Sequence, residues 1–175
     1  MLEKDRIARN QARAIEMYPA FRVRVEAVLK EMEGAGYRPR VQDAWRSAAE
    51  QLEAYRNGYS QVMYGFHNVT GSDGAKEALA ADILDDNQPL TAKTDFMLHL
   101  AAAAEKNGLT TGIRWGLTEA KSKAIDDAIA TQNWKVPIHV GWDPLHVEAT
   151  GLTIQEAKSG KRPLMPGETP SGDDT

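Results

Sequence analysis

The stretch Trp142-Asp143-Pro144-Leu145-His146-Val147-Glu148 sets an acid three residues ahead of a histidine inside an apolar, strand-like run. An imidazole is a ligand for first-row metals, and a carboxylate held just off the metal can take a proton from water. Pro144 fixes one backbone dihedral and removes a backbone donor, so the acid and the imidazole are held in a defined relation. On a strand, Glu148 shares the face of His146 while Val147 points the other way, into a core. Taken alone, an Asp-x-x-His pair is more often a hydrogen-bonded histidine near a turn than a ligand. The decision rests on what the rest of the chain can bring to it.

Working outward, the 175 residues and 42% hydrophobic content suffice for one domain with a real core and are short for two. A net charge of -4 provides no broad cationic field, so neither nucleic acid nor an anionic membrane is expected as the main partner. The chain has no cysteine, which excludes disulfides and thiolate zinc sites and leaves histidine and carboxylate as the strong ligands. Met1 to Met17 is studded with charge and contains no apolar run, so no secretory signal is expected there. Nothing later is long enough to span a bilayer. A target outside the cytoplasm would have to be reached by another route.

In chain order, Lys4 to about Met17 predicts a short amphipathic helix, and Pro19 fits the first position of a second. Phe21, Val25, Val28, Leu29 and Met32 form the core stripe of that second helix, which stops at Gly34-Ala35-Gly36. Val41 to Trp45 reads as a short strand and Ala48 to Tyr55 as a helix. Tyr59 to Gly74 turns loop-like and contains His67, so it is a plausible functional loop. Ala78 to Leu84 reads as a buried strand interrupted by one acid, Asp82, which must be paired, hydrogen-bonded or metal-bound. Asp85, Asp86 and Asn87 look like a solvated strand end. Thr94 to Lys106 is apolar on more than one face and predicts a buried helix, in which His99 is a packed or surface residue. Trp115, framed by Gly112 and Gly116, either walls a cleft or fills the core. Helices are expected over Thr118 to Gln132 and Thr153 to Ser159, with an irregular approach between Trp134 and Trp142. A domain over residues 1–162 is followed by a Pro- and Gly-rich tail, 163–175, expected to be poorly ordered.

Together His67, Asp82 and His146 make a ligand set for one zinc ion that needs no cysteine. Three protein ligands leave a fourth position open for water, which distinguishes a catalytic zinc from a closed structural one. Asp143 is then the general base, taking a proton from the water and delivering it to a leaving amine, so amide hydrolysis is the expected reaction. No His-Glu-x-x-His is present.

In these features the chain resembles the peptidase M15 family, the D-alanyl-D-alanine carboxypeptidases and the L-alanyl-D-glutamate endopeptidases of phage lysis. The resemblance runs in order through Tyr18-Pro19, Gly36-Tyr37-Arg38-Pro39, Trp45-Arg46-Ser47-Ala48-Ala49-Glu50-Gln51, His67-Asn68, Ala80-Ala81-Asp82-Ile83, Trp115-Gly116 and Asp143-Pro144-Leu145-His146. It implies zinc ligation by His67, Asp82 and His146, a base at Asp143 and a substrate-facing Arg46. It also implies an α+β domain in which a small antiparallel sheet carries the zinc site and helices pack on it. The implied substrate is the peptidoglycan stem peptide, and the default state is a monomer.

Two departures stand out. The interval from His67 to Asp82 is longer than the family's compact spacing, which requires an insertion around Thr70 to Glu77 and makes Asp73 a competing ligand. Asp82 is preferred, since a strand presents a ligand rigidly while a Gly-flanked loop acid is usually solvated. Trp45 replaces a tyrosine-like position before the arginine. By itself Arg46 would read as a surface ion pair; with the resemblance, its guanidinium is expected to hold a substrate carboxylate or a developing oxyanion. His139 either approaches that oxyanion or faces solvent. Length and the missing signal lean toward a lysis-type endopeptidase, acting at the cell wall after release by a holin-like or other route, over an exported carboxypeptidase.

Overall fold

The apolar run around Asp82 becomes an inner strand of the sheet that carries the site. In the computed structural model, which describes residues 1–171, β1 (Pro39–Asp43), β2 (Ala80–Asp85), β3 (Leu109–Gly112) and β4 (Asp143–Ala149) form one sheet in the order β1-β2-β4-β3. Every neighbouring pair is antiparallel, and helices pack on the sheet. This is the α+β architecture expected. With β2 and β4 central, the register sets Asp82 opposite His146 and Ala80 opposite Glu148. Ala81, Ile83 and Val147 point to the other face and are fully buried in the core.

The helices are α1 (Glu3–Ala14), α2 (Pro19–Gly34), α3 (Ala48–Arg56), α4 (Thr94–Lys106), α5 (Glu119–Ala130) and α6 (Ile154–Lys158). Pro19 stands in the first turn of α2, and the predicted stripe from Phe21 to Met32 is buried. The apolar character of α4 on more than one face has a direct cause, because the helix separates two clusters. Phe96, Leu100, Ala103 and Ala104 join the main core, while Leu98 and Ala101 meet Ile113, Ile125 and Ala128 on the other side. Polar residues of α1 cover the outer edge of β1. Asn10 donates to Pro39 O (3.0 Å) and accepts from Val41 N (2.8 Å), and Arg9 donates to Val41 O (3.1 Å). An edge strand is thereby closed to further pairing.

Three expectations need correction. Asp85 and Asp86 are buried, not solvated, because Asp86 meets Arg40 at 3.0 Å, Arg38 at 3.2 Å and the Met1 amine at 3.3 Å. A buried carboxylate persists where cations converge on it. The strand β3 was not anticipated, since four residues between a helix stop and a glycine turn carry too little pattern to read. The first strand starts earlier than Val41 and ends at Asp43, where its pairing with β2 shifts register.

Beyond α6, residues 163–171 carry no helix or strand, although Arg24 donates to Leu164 O at 3.2 Å. The rest of the expected tail, 172–175, lies outside the described residues. Among the described residues no helix is long and apolar enough to cross a membrane.

Candidate metal centre

His67 sits on a single 3-10 turn, Phe66–Asn68, inside the glycine-rich loop. Short-range bonds fix this turn. Leu79 N donates to Phe66 O (3.0 Å), Arg46 N donates to His67 O (2.9 Å), and Asn68 bridges Gly65 N and Arg46 O. The Nδ1 of His67 lies 2.5 Å from Ala44 O, and a carbonyl only accepts, so Nδ1 carries the proton. Nε2 is left bare, buried and without a hydrogen-bond partner.

That nitrogen faces Asp82 Oδ1 at 3.5 Å, and the same oxygen lies 3.3 Å from His146 Nδ1. One donor atom from each of His67, Asp82 and His146 falls within 4.8 Å of the others. Two nitrogens and a carboxylate oxygen, with a buried lone pair that the protein leaves unused, fit a first-row divalent cation. These residues could hold a metal ion. The other predicted candidate, Asp73, is exposed in a turn and accepts from Ala75 N (3.0 Å).

Charge is concentrated here. Burial would raise the Asp82 carboxyl, but the two imidazoles beside it, His67 and His146, outweigh it and hold the group well below the usual carboxylate range. Burial works against the His146 cation too, yet its bonds to Asp82 and Glu148 push the ring up to about 10. Arg46 bonds Asp43 through Nε and Asp82 Oδ2 through Nη2 at 2.6 Å. Burial lowers the guanidinium pKa, but these carboxylates raise it further, so the group stays charged.

Asp143 opens β4, with Oδ2 4.0 Å from His146 Nδ1. Burial pushes its carboxyl above the ordinary range, Asp82 adds to that rise, and His146, His67 and Arg46 oppose it. On the far side of the imidazole, His146 Nε2 meets Glu148 Oε2 at 2.8 Å.

All five predicted residues, Arg46, His67, Asp82, Asp143 and His146, line one cavity of about 510 Å³. Trp115 walls it, with ring centroids 4.8 Å from Trp142 and 5.3 Å from His146, which decides between its two expected roles. The segment Tyr59 to Val62 also lines the cavity, held by buried Gln51, whose Nε2 donates to Ser60 Oγ (2.8 Å) and Val62 O (2.7 Å). Ser47 caps α3 together with Glu50. His139 is exposed and outside the lining, and His99 stacks on Trp134 at 3.9 Å. Sequence reasoning placed Tyr59 to Val62 in a functional loop and gave Gln51 a part in orienting Arg46 or capping α3, but it did not foresee that Gln51 holds that segment as a cavity wall. It placed Glu148 on the face of His146 without giving it a partner.

No family model matches the sequence, and neither does any curated protein. Among solved structures, the fold is similar to the crystal structure of the Serratia marcescens L-Ala D-Glu endopeptidase ChiX. The TM-score is 0.46 and the identity 19%, over 86% of this chain and 91% of that one. A likeness of that size says nothing of shared chemistry.

Proposed function

We propose that this chain is a zinc-dependent peptidase that cuts peptide bonds in peptidoglycan stem peptides. The observation that carries the reading is the convergence of His67 Nε2, Asp82 Oδ1 and His146 Nδ1, the residues that the M15 resemblance names as ligands, beside Asp143 in a single cavity. A bound zinc ion supplies Lewis acidity, polarising the scissile carbonyl and acidifying water. Asp143 takes the proton from the attacking water as the new C–O bond forms, then hands it to the leaving amine as the C–N bond breaks. Burial raises its pKa and makes it a stronger base than an ordinary aspartate. Arg46 holds Asp82 in place. Nη1, with one protein partner, Gln51 Oε1 at 3.5 Å, is the guanidinium donor left to face substrate. Trp115, Trp142 and the Tyr59 to Val62 wall enclose the substrate and limit access of bulk water.

An L-alanyl-D-glutamate endopeptidase of lysis type is favoured over a D-alanyl-D-alanine carboxypeptidase. A carboxypeptidase needs a free cation to grip the terminal carboxylate through two bonds, and Arg46, the one Lys or Arg among the described residues lining the cavity, has only Nη1 left over from its bridge between two acids. The proposal treats residues 1–162 as the peptidase unit, acting as a monomer at the cell wall, with no part for nucleic acid. A catalytically silent wall-binding module would have no use for an acid placed like Asp143.

Digestion of purified sacculi, with new termini identified by mass spectrometry, tests the reading. New amino-terminal glutamate is the expected product. Free D-alanine as the sole product would overturn the endopeptidase assignment, and an absence of cleavage would overturn the peptidase.

A further inference from the structure

We infer that Glu148 is a positioning residue of the metal centre: it accepts a hydrogen bond from Nε2–H of His146 and so fixes Nδ1 as the nitrogen offered to the ion. The inference rests on the zinc reading above and adds to it a residue the M15 resemblance does not name. The bond, His146 Nε2 to Glu148 Oε2, is 2.8 Å long. An ionised carboxylate only accepts, so the ring must donate from Nε2. Both residues lie on β4, two apart and therefore on one face, and the small Ala80 stands opposite Glu148 on β2. Glu148 is mostly buried, with 21% of its side chain exposed, yet among the described residues it pairs with no Lys or Arg. An acid left in that position without a cation is costly unless it has a donor to accept from.

The same problem is solved with the opposite nitrogen at His67, where Ala44 O takes the Nδ1 proton and frees Nε2. The two imidazoles thus present unlike nitrogens to one point, each fixed by an acceptor behind it. Glu148 itself stays off that point. It lies against Nε2, whereas Asp82 (3.3 Å) and Asp143 (4.0 Å) face Nδ1. Carboxylates that hold the second nitrogen of a ligating histidine typically affect metal affinity strongly.

The test uses the full chain and Zn²⁺ alone, with dissociation constants from chelator competition and ¹⁵N NMR of the histidine rings in the zinc-loaded protein. In the wild type, His146 is expected to show a downfield Nε2–H protected from exchange. Glu148→Ala is expected to weaken zinc binding by about 10- to 100-fold and to expose that proton to exchange. Glu148→Gln, whose amide oxygen still accepts, is expected to keep the Nε2–H with a smaller downfield shift and to recover part of the affinity. Equal affinity and an unchanged His146 signal in the alanine variant would overturn the inference while leaving the zinc reading intact. If that variant does not fold, the glutamine variant decides, and an unchanged shift with unchanged affinity overturns it. A wild type that binds no zinc would overturn both.

Discussion

Arg46 donates from Nη2 to Asp82 Oδ2 at 2.6 Å, while both histidines make their closest approach to Asp82 at Oδ1. The carboxylate is therefore oriented by a cation at one oxygen and presents the other to the two imidazoles. Arg46 also bonds Asp43 through Nε, so its planar fork spans two acids. Arg46→Ala is expected to weaken zinc binding about 10- to 100-fold, the usual effect of losing a group that orients a ligand. Arg46→Lys should not restore it, because an ammonium cannot reproduce the fork. Chelator competition, with circular dichroism to verify folding, checks both. A lysine variant with wild-type affinity would contradict the orientation argument.

Asp143→Asn preserves the shape of the side chain and removes its basicity. Zinc content is expected to stay at the wild-type level while kcat on wall peptides falls by about 10²- to 10⁴-fold, the range for general acid-base catalysis. Steady-state kinetics alongside elemental analysis separate the two effects. Unaltered turnover would remove Asp143 from the mechanism.

Gly112 is a close-approach position behind Asp143. A Cβ there would stand 2.2 Å from Asp143 O and 2.8 Å from a ring carbon of Trp115, in a region where backbone on two strands cannot yield. Gly112→Ala is expected to cost about 1–3 kcal/mol and to displace the start of β4, lowering activity more than the stability loss explains. Gly34→Ala, where a Cβ would meet nothing within 4 Å, is the control and should leave stability unchanged or slightly raised. Urea unfolding curves of the two variants give the comparison.

Tyr37 provides a pH test away from the site. Its hydroxyl donates to Asp95 Oδ2 at 3.2 Å, and burial, followed by the Asp95 charge and hydrogen bond, pushes the phenol up to about 12. Between the unfolded value near about 10 and the folded one, the native state binds more protons than the unfolded chain, so stability falls as pH rises. The contribution is fully present below about pH 10 and is lost as pH passes through about 12. Tyr37→Phe should flatten that part of the alkaline decline in urea midpoints. Equal slopes in both proteins would contradict it.

That Asp82 belongs to a polar cluster was legible in the sequence for a physical reason. Asp82 is an acid in an otherwise apolar strand, and such a group requires a partner. The same logic failed at Asp86, because its partners, Arg38, Arg40 and the Met1 amine, come from elements far away in sequence. The cavity wall from Tyr59 to Val62 was visible as part of a functional loop, but not as a wall. What makes it a wall is the pair of bonds from Gln51, a buried amide whose reach no periodicity reveals. Arg46 lines the cavity, and its bridge between Asp43 and Asp82 depends on the pairing of β1 with β2, in which these two acids lie opposite each other.

The most direct test is equilibrium dialysis of the chelator-stripped protein against Zn²⁺, followed by elemental analysis. One zinc per chain is expected in the wild type and in Asp143→Asn, and none in His67→Ala, Asp82→Ala or His146→Ala. A wild type that retains no zinc, or a His67→Ala variant that retains as much as the wild type, would contradict the account.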